Sequence, residues 1–260
     1  MHIEKLSLYI VAMNEERRLP KTLDSVRGLV DEIVIVDSGS TDKTEEIAKS
    51  YGARFIYNKW ESIGHQVSFA EQQCTHRWVL RLDADEVISQ GLFDEIAEAR
   101  KNGTKEGYYF KRGEIYPGRT KPNPWVKHDN LIRLYTRDAY QMSGRIGFDD
   151  VIKVKESAMA GQFRRFLYHY SYLTIHKMVQ KRNVATDRQV ERAIVEGKHY
   201  SPWRMVGTMS LNFFKFFILD RYFLYGFWGF IHAVNIAFMR FMKFSKFYEQ
   251  EQLKKYNYPD

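Results

Sequence analysis

Three short apolar runs, each followed by acidic residues, constrain the fold of this chain most. They cover residues 6–13, Glu32–Asp37 and residues 78–82. The middle run, Glu-Ile-Val-Ile-Val-Asp, has the β-branched character of a strand that is buried on both faces of a parallel sheet. Apolar residues at helical spacing lie between the runs and predict connecting helices. The sequence therefore predicts an α/β fold with a Rossmann-like, mostly parallel sheet flanked by helices.

The ends of these predicted strands are where chemistry is expected, because open α/β sheets bind ligands beyond the carboxyl ends of their strands. Asp83 and Asp85 follow the third strand, one residue apart, and Asp37 ends the second. Paired carboxylates suit Mg²⁺ or Mn²⁺, which keep coordination positions open for phosphate oxygens. A solvated acidic turn is the alternative for an isolated Asp-x-Asp, but the acidic end of a second strand favours a metal site.

The pattern changes after residue 107. Residues 108–112, 131–136 and 151–155 predict strands joined by Gly- and Pro-rich loops, which indicates a mixed or antiparallel extension of the sheet. Residues 172–196 are predicted to be helical, and residues 203–248, here called the tail, continue as aromatic-rich helices. We therefore divide the chain into a first domain over residues 1–160 and a helical extension over residues 161–260.

The C-terminal part is basic and aromatic. Residues 1–150 carry 22 Lys and Arg against 24 Asp and Glu, whereas residues 151–260 carry 18 against 8, and 16 of the 40 aromatic residues fall in the tail. This composition is typical of a surface that meets nucleic acid, an anionic membrane or a phosphorylated substrate. Residues 222–239 lack formal charge but include glycines, a histidine and an asparagine, which favours an interfacial helix over a membrane span.

A peripheral membrane contact is the expected role of the tail, because cations alternate with aromatic residues over residues 240–248. Packing of the tail on the first domain or on a second copy of the chain, as a homo-oligomer, is the alternative. Cys74 is the single cysteine, which excludes an intramolecular disulfide and fits a reducing compartment. The first residues lack the layout of a signal peptide, so we expect a cytoplasmic protein at the inner face of the membrane.

Three motifs carry a resemblance to a known family. They are Leu-Tyr-Ile-Val-Ala-Met-Asn-Glu-Glu at residues 8–16, Asp-Glu-Ile-Val-Ile-Val-Asp-Ser-Gly-Ser-Thr-Asp-Lys-Thr at residues 31–44, and Leu-Asp-Ala-Asp-Glu at residues 82–86. In this order they resemble the inverting family 2 glycosyltransferases of the A-type fold. Residues 169–172 and 224–230 are most similar to the enzymes that add glucose to the lipopolysaccharide inner core.

The resemblance implies a nucleotide-sugar donor, UDP-linked, and a lipid-linked or lipopolysaccharide-type glycan acceptor. It implies that Ala12 and Glu15 line the nucleoside pocket and that Asp37 accepts a hydrogen bond from the base. Asp83 is then expected near the ribose, and Asp85 is expected to ligate the Mn²⁺ or Mg²⁺ that bridges the diphosphate. Such a metal stabilises the charge of the leaving group as a Lewis acid.

The resemblance also implies a general base before a strand, where relatives carry His-Glu or Glu-Asp. This chain has Phe148-Asp149-Asp150 after Gly147, so the expected base is Asp149, with Asp150 as the second candidate. A late histidine, His169, is expected to complete the metal shell, although a structural role is the alternative. Gln66 is expected to contact the donor, but Ser68 stands where relatives often carry Asn.

Two other functions share some of these features. A nucleotidyltransferase that forms sugar nucleotides would have a similar sheet and acidic site, but it would carry a basic Gly-rich loop after the first strand, where this chain has Asn14-Glu15-Glu16. A non-enzymatic basic protein bound to membrane or nucleic acid would explain the tail and leave the acidic strand ends without a purpose. We therefore expect an enzyme that does not bind nucleic acid.

Overall fold

A computed structural model describes residues 4–146, 148–171 and 174–256 of the chain. The chain divides into two compact units. The first comprises Met1–Pro122 and His128–Ser171, and the second comprises Asn123–Lys127 and Tyr172–Asp260. The domain boundary expected after residue 160 falls within strand β10 (Ala160–His169), which is hydrogen-bonded into the sheet of the first unit.

The first unit contains an eight-stranded sheet with the order β3-β2-β1-β4-β7-β6-β10-β5, and β8 and β9 form a separate pair. The strands are β1 (Leu6–Ala12), β2 (Glu32–Asp37), β3 (Arg54–Tyr57), β4 (Trp78–Arg81), β5 (Glu86–Ile88), β6 (Gly107–Glu114), β7 (Asp129–Thr136), β8 (Tyr140–Met142), β9 (Val151–Lys153) and β10. Strands β3, β2, β1 and β4 are parallel neighbours, and β7 runs antiparallel to both β4 and β6. The predicted α/β fold with a mostly parallel sheet is confirmed.

Helices cover both faces of this sheet. They are α1 (Leu19–Asp24), α2 (Thr44–Ser50), α3 (Ile63–Gln72) and α4 (Gln90–Asn102). Successive residues of β1 face opposite sides: Leu8 and Ile10 pack into the core cluster that includes α1 and α4, and Tyr9 packs into the cluster that includes α3. The sheet is thus buried on both faces, as the uninterrupted apolar run of β2 predicts.

Helix α3 begins four residues before its predicted start at residue 67. The Ser62 hydroxyl accepts a hydrogen bond from the backbone N–H of His65, so this serine caps the first turn. Gly64 allows the turn to lie against Arg145 and Phe148, because a Cβ there would lie 2.0 Å from the Arg145 carbonyl oxygen. Residue 147 lies outside the described residues.

The second unit is helical. It contains α5 (Ile175–Val195), α6 (Thr208–Phe214), a π-helical turn over Lys215–Leu219, 3₁₀ turns over Pro202–Arg204 and Tyr222–Tyr225, and α7 (Phe227–Tyr256). Phe247 of α7 packs against Val190 and Ala193 of α5. Residues 172 and 173 of the predicted helix lie outside the described residues. Within the described parts of the chain, we find no helix with both the length and the apolar character needed to cross a membrane.

Candidate active site

The loops that follow β1 and β2 are bonded to each other. Asn14 adopts a left-handed conformation, with φ of 57°. Its backbone N–H donates to the Ser40 hydroxyl at 2.7 Å, and its side-chain oxygen accepts from the Thr41 N–H at 2.8 Å. The Glu15 N–H donates to the Thr44 hydroxyl at 2.8 Å. Two neighbouring strand ends therefore form one ordered edge.

Asp37 organises the turn after β2. Its Oδ1 accepts hydrogen bonds from the backbone N–H groups of Gly39 at 2.7 Å and Ser40 at 2.6 Å, and Ser40 also donates its hydroxyl to Oδ2. Ala12 lies opposite Asp37 in the parallel register of β1 and β2. These bonds give the Asp37 carboxylate a structural role in the turn and place it beside the end of β1.

Gln66 is fully buried beneath the same turn. Its side-chain nitrogen donates to the Ser38 hydroxyl at 3.1 Å and to the Asn58 carbonyl at 2.9 Å, and its oxygen accepts from the Asn58 side chain at 2.7 Å. The amide thus joins α3 to the residues that follow β2 and β3. Because its hydrogen-bonding groups are engaged within the protein, its observed contribution is to the shape of the loop.

Asp85 lies where β1, β4 and β10 end. Its Oδ2 accepts a hydrogen bond from Arg18 Nη1 at 2.8 Å, and the Arg18 guanidinium also binds Glu15, with Nε at 2.7 Å from Oε2. The Asp85 carbonyl accepts from the Tyr170 N–H at 2.8 Å. Arg18 therefore links Glu15 and Asp85, two carboxylates that the sequence assigns to the donor site.

His169 is held between two carboxylates. It stands opposite Glu114 in the register of β6 and β10, so both side chains project from the same face. Its Nδ1 is 2.7 Å from Glu114 Oε1, its Nε2 is 3.4 Å from Asp85 Oδ1, and Ser171 donates to Glu114 Oε2 at 2.6 Å. Burial alone would lower the pKa of His169, but Glu114 and Asp85 outweigh it and raise the pKa to about 10.

Asp83 points into a group of arginines instead. Its Oδ2 is 3.0 Å from Arg133 Nη2, and its Oδ1 is 3.3 Å from Arg81 Nη2. Arg133 also binds the fully buried Glu86 at 2.7 Å, and Arg112 lies 3.4 Å from Glu86. Burial alone would raise the pKa of Asp83, but the guanidinium groups of Arg133, Arg81 and Arg112 hold it well below the usual carboxyl range.

The two candidate bases lie in the loop before β9. Asp149 accepts from Arg81 Nη2 at 2.8 Å through Oδ2, and its carbonyl accepts from Arg81 Nη1 at 2.5 Å. Arg81 therefore holds Asp149 and Asp83 together. Asp150 accepts from the Ser143 hydroxyl at 2.6 Å and from Arg145 at 2.5 Å. Burial alone would raise the pKa of Asp150, but these two hydrogen bonds lower it.

The profile of the family described as Glycosyl transferase family 2 matches residues 7–168, which contain the sheet and nearly all of this edge. This chain belongs to glycosyltransferase family 2. A protein of Rickettsia typhi named as an uncharacterised glycosyltransferase is 34% identical over 87% of this chain and 81% of its own length. A lipopolysaccharide core biosynthesis glycosyltransferase, LpsC, of Rhizobium meliloti is 28% identical over 86% of this chain and 82% of its own length. Among solved structures, S. aureus TarS 1-349 is similar, with 15% identity, a TM-score of 0.46 and 90% coverage of each chain.

In this family 2 glycosyltransferase, the sequence-predicted residues fall into three neighbouring groups. Ala12 and Asp37 end β1 and β2, and Gln66 of α3 lies beneath the turn after β2. Arg18 joins Glu15 to Asp85, and Asp85 contacts His169. Asp83 and Asp149 share Arg81. Asp150 is bonded separately, to Ser143 and Arg145. Each group lies at the carboxyl ends of the central strands or beside them.

Sequence reasoning missed the partners of these residues: Arg18, Arg81, Arg112, Glu114 and Arg133. Glu114 had one available signal, since it is an acidic residue two positions after the strand predicted over residues 108–112, and it ends the observed strand β6. The structure shows no group of three or more His, Cys, Asp or Glu side chains, among its described residues, that could hold a metal ion. Asp85 and His169 are two such side chains, and Mg²⁺ commonly takes its remaining ligands from water and substrate phosphates.

Proposed function

We propose that this glycosyltransferase moves a sugar, with inversion, from a UDP-linked donor to a lipid-linked or lipopolysaccharide-type glycan at the inner face of the cytoplasmic membrane. The observation that carries the donor half is the placement of Asp85 Oδ1 and His169 Nε2 at 3.4 Å with Nδ1 held by Glu114. The name of the Rhizobium relative, a lipopolysaccharide core biosynthesis enzyme, supports the acceptor class.

A divalent metal fits Asp85 and His169. Histidines that ligate metals usually direct their other ring nitrogen to a carboxylate, which fixes the tautomer and the ring orientation, and Glu114 occupies that position. Mn²⁺ or Mg²⁺ bound there would supply Lewis-acid stabilisation of the departing diphosphate. Arg18 binds both Glu15 and Asp85. It therefore places the guanidinium cation next to the position proposed for the diphosphate.

The remaining residues have proposed roles in binding and proton transfer. Ala12, Glu15, Asp37 and Gln66 shape the nucleoside side of the pocket, and Asp83 lies towards the ribose. Asp149 accepts the proton of the acceptor hydroxyl. It is favoured over Asp150 because its side chain is more open to an incoming acceptor, with 56% of the side chain exposed against 39% for Asp150. Arg81 holds both the carboxylate and the carbonyl group of Asp149. These contacts fix the position of the carboxylate that would receive the proton of the acceptor hydroxyl.

Calorimetric titration with UDP and Mn²⁺ tests the donor site. Asp85→Ala should abolish Mn²⁺-dependent UDP binding, and it should lower transfer by roughly 10²-fold or more, as expected when a charge-stabilising group is lost. Glu114→Gln leaves both proposed ligands in place but removes the carboxylate that orients His169, so we expect about 10- to 100-fold weaker Mn²⁺ binding.

The matched controls are Asp94→Ala and Glu98→Gln, which remove exposed carboxylates on helix α4. Both should bind UDP and Mn²⁺ as the unchanged protein does. Near-full transfer by Asp85→Ala would contradict the metal assignment. Unchanged Mn²⁺ affinity in Glu114→Gln would leave His169 with a structural role only.

A further inference from the structure

The outward side of α6 and of the π-helical turn that follows it is apolar, which is unusual for a helix on the surface of a soluble protein. We call this side, together with Val206 just before the helix, the outer face, and define it by Val206, Met209, Leu211, Phe214, Ile218 and Leu219. Leu211 is 71% exposed and Leu219 is 64% exposed. Ser210 and Lys215 are the other exposed residues of the helix and turn. The outer face therefore presents hydrocarbon with one cation and no carboxylate.

The opposite side of the same segment is also apolar and already has a partner. Phe213 and Phe217 are 5.7 Å and 5.9 Å from Phe230 of α7, measured between ring centroids. Since this inward side supplies the packing within the second unit, the outer face is not needed to attach the segment to α7. A helix that is apolar all round is typical of a protein core or of a membrane environment.

Exposed apolar residues continue on both sides of the segment. Of the large hydrophobic side chains that are exposed among the described residues, ten lie between Trp203 and Phe230. Trp203 is 80% exposed and Phe227 is 77% exposed. Contiguous apolar surface of this kind marks an interaction site in soluble proteins. Tryptophan and phenylalanine are residues that settle at the boundary between headgroups and acyl chains.

The charges beside the outer face have one sign. Arg204, Lys215 and Arg221 are exposed, whereas Asp220, the sole acidic residue between 201 and 248, is buried and lies 3.4 Å from Lys127. Exposed cations around an apolar surface complement anionic lipid headgroups. A partner protein would equally bury the apolar side chains, but nothing in that arrangement would call for cations of one sign at the rim.

We infer that the outer face lies in the plane of an anionic bilayer surface, with its apolar side chains among the headgroups and upper acyl chains and with Arg204, Lys215 and Arg221 on lipid phosphates. The inference depends on the proposed function only for its purpose, which is to keep the enzyme near a lipid-linked acceptor. It narrows the location expected from sequence, which is the whole tail, because residues 240–248 are partly committed to packing. Phe247 is buried there, and Lys246 binds Asn183, Thr186 and Asp187.

Vesicle flotation with the full chain tests the inference, using phosphatidylcholine vesicles with and without phosphatidylglycerol. We expect the unchanged protein to float with the anionic vesicles and to do so less at high salt. The double variant Leu211→Glu, Leu219→Glu removes two apolar side chains that the bilayer would bury and adds repulsion from the anionic lipid, so its binding should fall at least about tenfold. The double variant Val154→Glu, Met159→Glu alters exposed apolar residues of the first unit and should float normally.

Two further measurements keep the inference falsifiable. The Trp203→Phe variant should lose the part of the fluorescence that is quenched by brominated lipid, because Trp203 would lie at headgroup depth. The outer-face variant should bind UDP and Mn²⁺ as the unchanged protein does. If the unchanged protein floats with anionic vesicles but does not bind UDP, the proposed function is overturned and the membrane role is not. Equal flotation with neutral vesicles, no flotation at all, or a dimer in ultracentrifugation that the outer-face variant disperses would overturn the membrane role.

Discussion

The two units differ in where they place charged and apolar side chains. At the sheet edge of the first unit, several charges are buried and have partners of opposite sign, as Arg133 has with Asp83 and Glu86. On the outer face of the second unit, apolar side chains such as Leu211 are exposed to solvent. Both arrangements cost free energy relative to an ordinary surface or core. We propose that a bound ligand completes the first arrangement and that a lipid surface completes the second.

The largest effect, on the rate of sugar transfer, is expected from a change at Asp149, the proposed general base. Asp149→Asn keeps the size of the side chain and one acceptor for Arg81, but it cannot take a proton. We expect transfer to fall by roughly 10²- to 10⁴-fold, the usual contribution of a general base, while UDP binding is unchanged. Steady-state kinetics together with calorimetry checks this.

Asp150→Asn is the matched control for the base and should lose less activity, because its carboxylate is bonded to Ser143 and Arg145. A reversed order of damage would identify Asp150 as the base. If both variants remain active, the loop before β9 does not supply the base. The paired charges at the sheet edge would then serve binding alone. In that case both units would provide binding surfaces and neither would be assigned the proton transfer.

The second prediction concerns stability. Arg133→Met removes a partner from the fully buried Glu86 and from Asp83 beside it, which typically costs about 3–5 kcal/mol of unfolding free energy. Arg77→Met removes a guanidinium that pairs with Glu4 and Asp138 at the surface, and it should cost under about 1 kcal/mol. Urea denaturation followed by circular dichroism compares the two variants.

The same variant predicts a pH dependence. The pKa of Asp83 is lowered in the folded protein, so its pairing stabilises the fold above the unfolded carboxyl pKa of about 3.9 and loses this effect as the pH falls further. Arg133→Met should therefore lose less unfolding free energy than the unchanged protein when the pH is lowered from about 5 to about 2. An equal loss in both proteins would show that Arg133 does not set the ionisation of Asp83.

The sequence predicted where several strands of the first unit lie along the chain better than it predicted which strands pair in the sheet. The run Glu32–Asp37 is bounded as predicted, because a β-branched segment between turn residues leaves few alternatives. Strand β10 was missed as a strand, since its sequence is basic and lacks a clear alternation. Local patterns also could not place β7 between β4 and β6, although this order is what brings Arg133 to Asp83.

The same limit applies to the candidate site and to the tail. Acidic strand ends are visible in the sequence because they interrupt apolar runs, but two of the arginines that balance them, Arg112 and Arg133, come from other strands. Glu114 becomes informative only when the register of β6 and β10 sets it opposite His169. In the tail, composition indicated an amphipathic surface, whereas the side that faces outward depends on how α6 packs against α7.

The smallest effect is expected on the outer face, and it tests the comparison most directly. If Leu211 makes no contribution to folding, Leu211→Ser should change the unfolding free energy by no more than about 0.5 kcal/mol. Leu134→Ala, in the core of the first unit, should cost about 2–5 kcal/mol because it leaves a cavity. Thermal unfolding at several protein concentrations measures both variants. A loss above about 1 kcal/mol for Leu211→Ser, or a midpoint that rises with concentration only in the unchanged protein, would show that the outer face packs between copies of the chain. A near-zero change at all concentrations would leave the outer face as surface that the fold does not use.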